Sequence, residues 1–226
     1  MVRVEPLSTR TDLFLVDVDQ TGAWVAFAPS DGGVSIIHSG ATTPLYGIDA
    51  GVSAAELTAP GILAFVRGRE LGVLRHTGEA LELEKCSRPI PPVTPAVATF
   101  PGGLIVAQSC ASGLVVSRFG ASPTPERTVE LPGFTRMFAM AVIDSTRIAI
   151  ARSPDEANPS VTLLRLEDLS ETRTIPLEPL RGCAAGLPRL VVDPLLNGRF
   201  AVEMSRVSGH SNGCASLTRV DACEVE

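Results

Sequence analysis

The sequence predicts an all-β fold of about five repeated units, each made of four antiparallel strands. Eighteen prolines and twenty glycines punctuate the 226 residues, so chain reversals are frequent and short strands fit the sequence better than long helices. Short β-rich runs, each opening at or near a turn residue, recur at intervals of roughly 40 to 50 residues, a period typical of repeat architectures. A single β-propeller domain is the fold that these observations favour.

The first two strands of each repeat flank a tight turn. First strands are predicted at LFLVDVD (13–19), GVSAAEL (51–57), AVATF (96–100), FAMAVID (138–144) and LVVD (190–193). Second strands begin after the turn residues Gly22, Gly61, Gly103, Thr146 and Gly198. Apolar residues make up 45% of the chain and aromatic residues only 4%, so we expect a core of Val, Leu, Ile and Ala.

The third strands share a basic position. They are predicted at VSIIHSG (34–40), GVLRHTG (72–78), LVVSRFG (114–120), TLLRLED (162–168) and SLTRVDA (216–222). Aligned on their ends, they place at one position Ile37, Arg75, Arg118, Arg165 and Arg219. Fourth strands are predicted at PLYGI (44–48), ALELE (80–84), RTVEL (127–131) and TRTIPL (172–177). Four strands in roughly 38 to 54 residues match the size of a propeller blade.

The repeats divide one predicted domain, residues 1–226. Their approximate bounds are 11–48, 49–86, 87–132, 133–178 and 179–226. VRVEPL (2–7) has the alternation and trailing proline of a fourth strand, so we expect this N-terminal strand to close the last blade. The alternative is that CEVE (223–226) supplies the fourth strand of that blade. Closure removes sheet edges that invite aggregation. A β-sandwich or a partial propeller is the alternative architecture.

Two segments resemble a known group of repeats. They are VDVDQTGAWVAFAPSDGGVSII (16–37) in the first repeat and VVDPLLNGRFAVEMS (191–205) in the fifth. Both are similar to the V-D-x-x-G-x-x-(V/A)-x-V pattern of the bacterial YVTN, lactonase-like and TolB-like propeller repeats. The resemblance implies the propeller architecture and assigns no site residues.

Charge and motifs exclude several classes of function. The formal net charge of −6 argues against a nucleic-acid surface, which requires a basic face. No apolar run is long enough for a membrane span. Phosphate-binding loops, dinucleotide fingerprints, nucleophile elbows and zinc-protease motifs are all missing from the sequence. We therefore predict no enzyme activity, no catalytic residues, no metal and no cofactor.

The turns between strands point to a recognition surface. With the strands of a repeat lettered a to d, the a–b turns are tight, whereas the b–c and d–a loops are longer and more varied, as recognition surfaces usually are. The b–c loops of repeats four and five, ARSPDEANPS (151–160) and MSRVSGHSNGC (204–214), are the longest and most polar. This predicted rim gathers the candidate partner-binding residues Arg152, Asp155, Glu156, Asn158, Arg206, His210 and Asn212.

Four of the five cysteines occupy equivalent places in two repeats. Cys86 and Cys183 lie in the d–a loops that enter repeats three and five, and Cys110 and Cys214 lie in the b–c loops of the same repeats. We predict the disulfides Cys86–Cys110 and Cys183–Cys214, with Cys223 unpaired. Disulfides persist in oxidising compartments, so the periplasm or cell surface is the predicted location. Free cysteines in a cytoplasmic protein are the alternative.

Two functions are compatible with these features. The first is a non-catalytic scaffold that binds a protein partner in the cell envelope of a bacterium. The bias toward eighteen arginines and a single lysine, Lys85, indicates that this bacterium has a GC-rich genome. The second is a carbohydrate-binding module or glycoside-processing enzyme that uses carboxylates along the axial channel, with Asp17, Asp19, Asp144 and Asp193 as candidates. Asp144 and Asp193 occupy equivalent a–b turns, which favours a turn-capping role for both. The scarcity of aromatic residues disfavours the second function.

Overall fold

The computed structural model describes residues 13–18, 24–29, 33–38, 46–48, 52–67, 70–75, 77–83, 95–133, 137–153, 158–177, 187–194, 199–207 and 214–221. Among these residues there are strands and turns but no helix, so the all-β prediction is confirmed. The chain forms two compact units, one within Met1–Leu83 and Pro91–Pro95, the other within Glu84–Ile90 and Ala96–Glu226. The prediction of a single domain over 1–226 stays a prediction.

The first unit contains two antiparallel sheets. The first sheet has the order β1 (Leu13–Val18), β2 (Trp24–Pro29), β3 (Val34–His38) and β4 (Tyr46–Ile48). The second sheet has the order β5 (Val52–Ala59), β6 (Ile62–Arg67) and β7 (Glu70–Arg75). Alternating apolar positions of both sheets pack into one cluster of buried residues, formed by Ala26, Val34, Ile36, Leu57, Leu63 and Leu74.

The second unit contains three antiparallel sheets. The third sheet is β8 (Ala96–Phe100), β9 (Gly103–Ser109), β10 (Gly113–Phe119) and β11 (Arg127–Pro132). The fourth is β12 (Met137–Val142), β13 (Arg147–Ser153), β14 (Ser160–Arg165) and β15 (Glu171–Pro176). The fifth is β16 (Leu187–Pro194), β17 (Arg199–Val207) and β18 (Cys214–Asp221). The first strands of these sheets are neighbours, since β12 lies beside both β8 and β16.

The inner strands β13 and β14 of the fourth sheet are buried on both faces. Ile148 and Ile150 of β13 pack toward the third sheet, while the alternate residues Ala149 and Ala151 pack in a cluster with Phe200 of the fifth sheet. This alternation follows from the two-residue period of a strand. Each fully buried large aliphatic side chain contributes about 1.5–3 kcal/mol, so aliphatic residues suffice for the core despite the scarcity of aromatic ones.

The strand predictions agree closely with the structure, with one exception. The predicted fourth strand at 80–84 is reduced, in the described residues 80–83, to an isolated bridge between Leu74 and Ala80. Leu81 still donates its N–H to the carbonyl of Val73 at 2.9 Å and buries its side chain. The Leu83 N–H then turns back to the Leu81 carbonyl at 3.1 Å, and a bond to a residue two positions back bends the chain out of the extended ladder.

The predicted closing strand lies outside the described residues. Neither VRVEPL (2–7) nor the competing CEVE (223–226) is described, so closure of the last blade stays a prediction. Within the described residues the fifth sheet has three strands.

Candidate functional site

A cleft of about 1020 Å³ opens at one end of the third and fourth sheets. It is lined by the β8–β9 turn, the end of β10, the β12–β13 turn, and the β14–β15 turn with the start of β15. Four of its lining residues are arginines, namely Arg118, Arg147, Arg165 and Arg173, and Glu167 is the acidic residue among them. We call this site the arginine cleft.

Strand register places three of these arginines on one face of the fourth sheet. Arg147 of β13 lies directly opposite Arg165 of β14. Arg173 of β15 lies opposite Leu163, two residues before Arg165 on the same strand. Side chains two residues apart on a strand share a face. Like charges directly opposite each other in a sheet are destabilising, so this arrangement carries an electrostatic cost unless the charges are neutralised.

Arg147 is neutralised by Asp144 in the turn that precedes it. Its Nε and Nη2 atoms donate to one carboxylate oxygen, Asp144 Oδ2, at 2.8 and 2.6 Å. The other oxygen accepts the backbone N–H and the hydroxyl of Thr146, both at 2.8 Å. Burial acts to raise the pKa of Asp144, but the hydrogen bonds from Arg147 and Thr146 outweigh it and hold the pKa below its usual value. The expectation that Asp144 caps its turn is confirmed.

Arg118 is neutralised in a similar way by the residue that follows its own turn. Its guanidinium forms an ion pair with Glu126 and lies over the ring of Phe100, with 5.4 Å between the guanidinium carbon and the ring centroid. In the second sheet, the equivalent Arg75 pairs with Glu79 at 2.8 Å. The recurring arginine of the third strand is therefore matched by a nearby glutamate in two repeats.

Arg165 and Arg173 form no salt bridge with any residue that the structure describes. Both are exposed at the cleft. Arg173 follows a β-bulge, since the register shifts between Leu163 and Leu164 and leaves Thr172 as the extra residue. The Thr172 hydroxyl donates to the Leu163 carbonyl at 3.1 Å. Bulges commonly redirect side chains next to functional sites.

A rigid turn after β14 accounts for the missing partner of Arg165. The acid in this turn, Asp168, uses Oδ1 to accept the N–H and the hydroxyl of Ser170 at 2.9 and 2.7 Å. These bonds, with a smaller electrostatic contribution from Arg165, hold the pKa of Asp168 below its usual value. Leu169 has a φ of 58° and buries its side chain in the core between the third and fourth sheets. The carboxylate therefore caps the backbone and leaves the Arg165 guanidinium without a salt bridge among the described residues.

The structure describes only part of the predicted rim. Arg152 lies at the opposite end of β13 from the cleft, and its Nη1 donates to the Pro132 carbonyl at 2.6 Å. Burial lowers the pKa of Arg152, although Glu171 acts in the opposite direction. Asn158 is exposed and begins the approach to β14. Arg206 lies on β17, but its side chain falls outside the described part, as do Asp155, Glu156, His210 and Asn212. The rim stays a prediction.

The cysteine pairings are likewise outside what the structure describes in full. Cys110 follows β9 and is buried, and no pairing of it lies within what the structure describes. Cys214 begins β18, while Cys86, Cys183 and Cys223 lie outside the described ranges. Both predicted pairings therefore stay predictions.

The b–c loop of the third repeat, in which Cys110 was placed, is shorter than predicted. β9 continues to Ser109 and β10 begins at Gly113. Cys110 and Gly113 exchange backbone hydrogen bonds at 2.8 and 3.2 Å across a two-residue turn. Gln108, Ser109 and Cys110 are buried, whereas Ala111 and Ser112 at the tip are exposed, so strand pairing continues up to the two turn residues.

Within the described residues, no group of three or more metal-ligating side chains is present. No described helix is long and apolar enough to cross a membrane. The arginine cleft, at the end of the sheets opposite to Arg152, was not predicted as a site. The sequence signal for it was the recurring arginine of the third strands, which includes Arg118 and Arg165.

Comparison with known proteins identifies the fold. No protein-family model and no curated protein matches the chain. The dihydro-heme d1 dehydrogenase NirN, solved in complex with DHE, is 16% identical with a TM-score of 0.52, and the match covers 90% of this chain and 44% of NirN. A protein of unknown function from Bacteroides caccae is 18% identical with a TM-score of 0.46, over 85% of this chain and 71% of that protein. BamB from Moraxella catarrhalis is 11% identical with a TM-score of 0.45, over 92% and 76%.

These likenesses concern the fold alone. The chain spans less than half of the length of NirN. The antiparallel four-stranded sheets and the likeness to NirN give a β-propeller fold class, as the sequence predicted. No specific family of propellers is identified.

Proposed function

We propose that the protein is a non-catalytic binding module that mediates protein–protein interaction, and that the arginine cleft is a contact surface. The observation that carries the proposal is the pair of exposed guanidiniums of Arg165 and Arg173, which form no salt bridge with a described residue. They stand on the same face as Arg147, which Asp144 already neutralises. A partner that supplies negative charge would offset the electrostatic cost of this arrangement.

The scaffold beneath the cleft supports this proposal. Arg165 ends a strand whose neighbouring residues are buried, and Leu169 anchors the adjoining turn in the core. Binding groups on rigid elements lose little conformational freedom when a partner docks. The carboxylate of Asp144 binds Arg147 and Thr146, and this engagement argues against a role for Asp144 in carbohydrate chemistry.

The predicted rim is retained in the proposal as a second contact surface, with a changed role for Arg152. Because its guanidinium binds the Pro132 carbonyl of the third sheet, Arg152 anchors one sheet to the next. The exposed candidate in the described part of the rim is Asn158.

Site-specific photo-crosslinking tests the contact surface. A photoreactive amino acid at Ser145, which is exposed at the cleft, should crosslink a protein in cells of the source organism, and that protein should then bind the purified chain. The same group at Thr77, an exposed turn residue of the other unit, serves as control. If Ser145 yields no adduct beyond those of Thr77, the cleft is not a protein-binding surface.

An oxidising location, the periplasm or cell surface, is a further part of the proposal. The predicted disulfides support it, since such bonds persist in oxidising compartments. Intact mass with and without reductant tests the pairings: two bridges predict a gain of four hydrogens, about 4 Da, on reduction. Peptide mapping should then join Cys86 to Cys110 and Cys183 to Cys214, and any other connectivity would refute the predicted pairings.

A further inference from the structure

We infer that the arginine cleft recognises an extended segment of a protein partner that carries acidic side chains at alternate positions. This inference rests on the proposed function and specifies its ligand. Arg165 and Arg173 are the two cations available for it, because Arg118 and Arg147 already pair with Glu126 and Asp144.

The spacing of the two arginines sets the spacing of the acids. Arg173 is opposite Leu163 on the neighbouring strand, and Arg165 is two residues farther along. In a regular antiparallel pair such diagonal neighbours lie about 7–8 Å apart at the backbone, and here the bulge at Thr172 lies between them. Side chains at positions i and i+2 of an extended chain point the same way and lie about 6.6 Å apart. An acid-x-acid segment therefore presents two carboxylates to the face that carries both arginines, whereas two adjacent acids point to opposite sides.

The size and the lining of the cleft favour a polypeptide over a small anion. A volume of about 1020 Å³ lies at the upper end of the range for small-molecule sites, about 300–1,000 Å³, and far exceeds a single phosphate group. Phe100, which is partly exposed, lines the same cleft, so apolar surface is available beside the charges. A segment that alternates acidic and apolar or β-branched residues uses both features.

Peptide binding tests the inference. The probe is a fluorescein-labelled decapeptide of alternating Glu and Thr, measured by anisotropy at low salt, with alternating Gln and Thr as the neutral probe. The block probe is Glu-Glu-Thr-Thr-Glu-Glu-Thr-Thr-Glu-Thr, which has the same charge but no two acids at positions i and i+2. We expect the alternating Glu probe to bind best and to dissociate as salt is raised, since exposed charges are screened. The R165Q/R173Q variant should bind it at least tenfold more weakly, equivalent to about 1.4 kcal/mol.

Controls separate charge recognition from folding defects and from net charge. R67Q removes an equally exposed arginine from the other unit and should leave binding unchanged. Circular dichroism and melting temperature should show that R165Q/R173Q remains folded, and the single variants R165Q and R173Q replace it if it does not. Equal binding of the Glu probe to wild type and to the cleft variants overturns the inference, and so does equal binding of the alternating and block probes.

The experiments distinguish failure of the proposed protein-binding function from failure of the inferred recognition of an acidic segment. If a probe with phosphoserine in place of Glu binds through the two arginines and the Glu probe does not, the ligand is phosphorylated and the inference is wrong. If Ser145 crosslinks a protein and R165Q/R173Q abolishes the adduct while the Glu probe does not bind, the proposed function stands without acidic recognition. If the Glu probe binds but no protein is crosslinked, the proposed protein-binding function falls.

Discussion

Replacing Asp144 with Asn should lower stability and strengthen anion binding at the same time. The Asn oxygen can still accept the two bonds from Thr146. The amide nitrogen, however, is a donor and would face the donors of Arg147, so the two charge-assisted bonds at 2.6 and 2.8 Å are lost. Arg147 then stands opposite Arg165 without the Asp144 carboxylate. The variant therefore becomes less stable while the positive charge at its cleft is no longer offset by Asp144.

The magnitude follows from those contacts. A hydrogen bond to a charged group contributes about 1.5–3 kcal/mol, and the side chains of Arg147 and Asp144 are 23% and 24% exposed, so screening by solvent is partial. For the two bonds that share one carboxylate oxygen, we expect a loss of about 2–3 kcal/mol. In a chain of this size that corresponds to a melting temperature lowered by about 4–12 °C.

The pH dependence gives a second readout with a defined sign. The pKa of Asp144 in the folded state is lowered, whereas in the unfolded chain it is about 3.9. Its stabilisation is therefore complete above the unfolded-state value and is lost as the pH falls through the folded-state value. Urea unfolding should show a difference between wild type and D144N that is full at pH 7 and shrinks progressively below about pH 4.

A matched variant and the binding assay test whether the Asp144–Arg147 pair stabilises the turn and offsets charge in the cleft. D168N alters the equivalent acid of the β14–β15 turn, which binds Ser170 and forms no salt bridge with a described residue, so its loss of stability should be smaller. The alternating Glu probe should bind D144N more tightly than wild type. If D144N is no less stable than D168N, or if its deficit is the same at pH 2 and pH 7, the Asp144–Arg147 pair does not stabilise the turn as described.

Two further predictions concern the backbone of the third and fourth sheets and are checked by urea unfolding. Leu169→Ala should lower the free energy of unfolding by about 2–4 kcal/mol because the side chain is buried. Leu169→Gly should be at least as stable as Leu169→Ala, since glycine relieves about 1 kcal/mol of backbone strain at a φ of 58°. A Gly variant clearly less stable than the Ala variant would contradict this. Gly113→Ala should cost about 2–3 kcal/mol because its Cβ would lie 2.3 Å from the Leu131 carbonyl oxygen. Gly102 has a φ of 94° and open space around it, so Gly102→Ala should lower the free energy of unfolding by only about 1 kcal/mol. If Gly102→Ala lost more stability than Gly113→Ala, the steric argument would be refuted.

Strand positions were predictable from the sequence because they depend on local patterns. Turn residues and two-residue alternation placed the first two strands of the third sheet at residues where the structure has them, Ala96–Phe100 and Gly103–Ser109. The turn role of Asp144 was predictable for the same reason, since its bonds to Thr146 span two residues. The failure at 80–84 shows the limit of such patterns, because alternation indicates which residues can pair and not where the backbone bends.

The arginine cleft was not predictable to the same degree. The sequence determined that an arginine recurs near the end of the third strands and that glycine, proline and aspartate interrupt the strands between them. Only the tertiary structure decided which arginines keep a free charge, since that depends on the pairing of Arg147 with Arg165, on the bulge at Thr172 and on whether a turn carboxylate binds a guanidinium or the backbone. The physical reason is that the attraction between two charges depends on the distance between them in space. Residues far apart in the chain become neighbours only when the strand register is set.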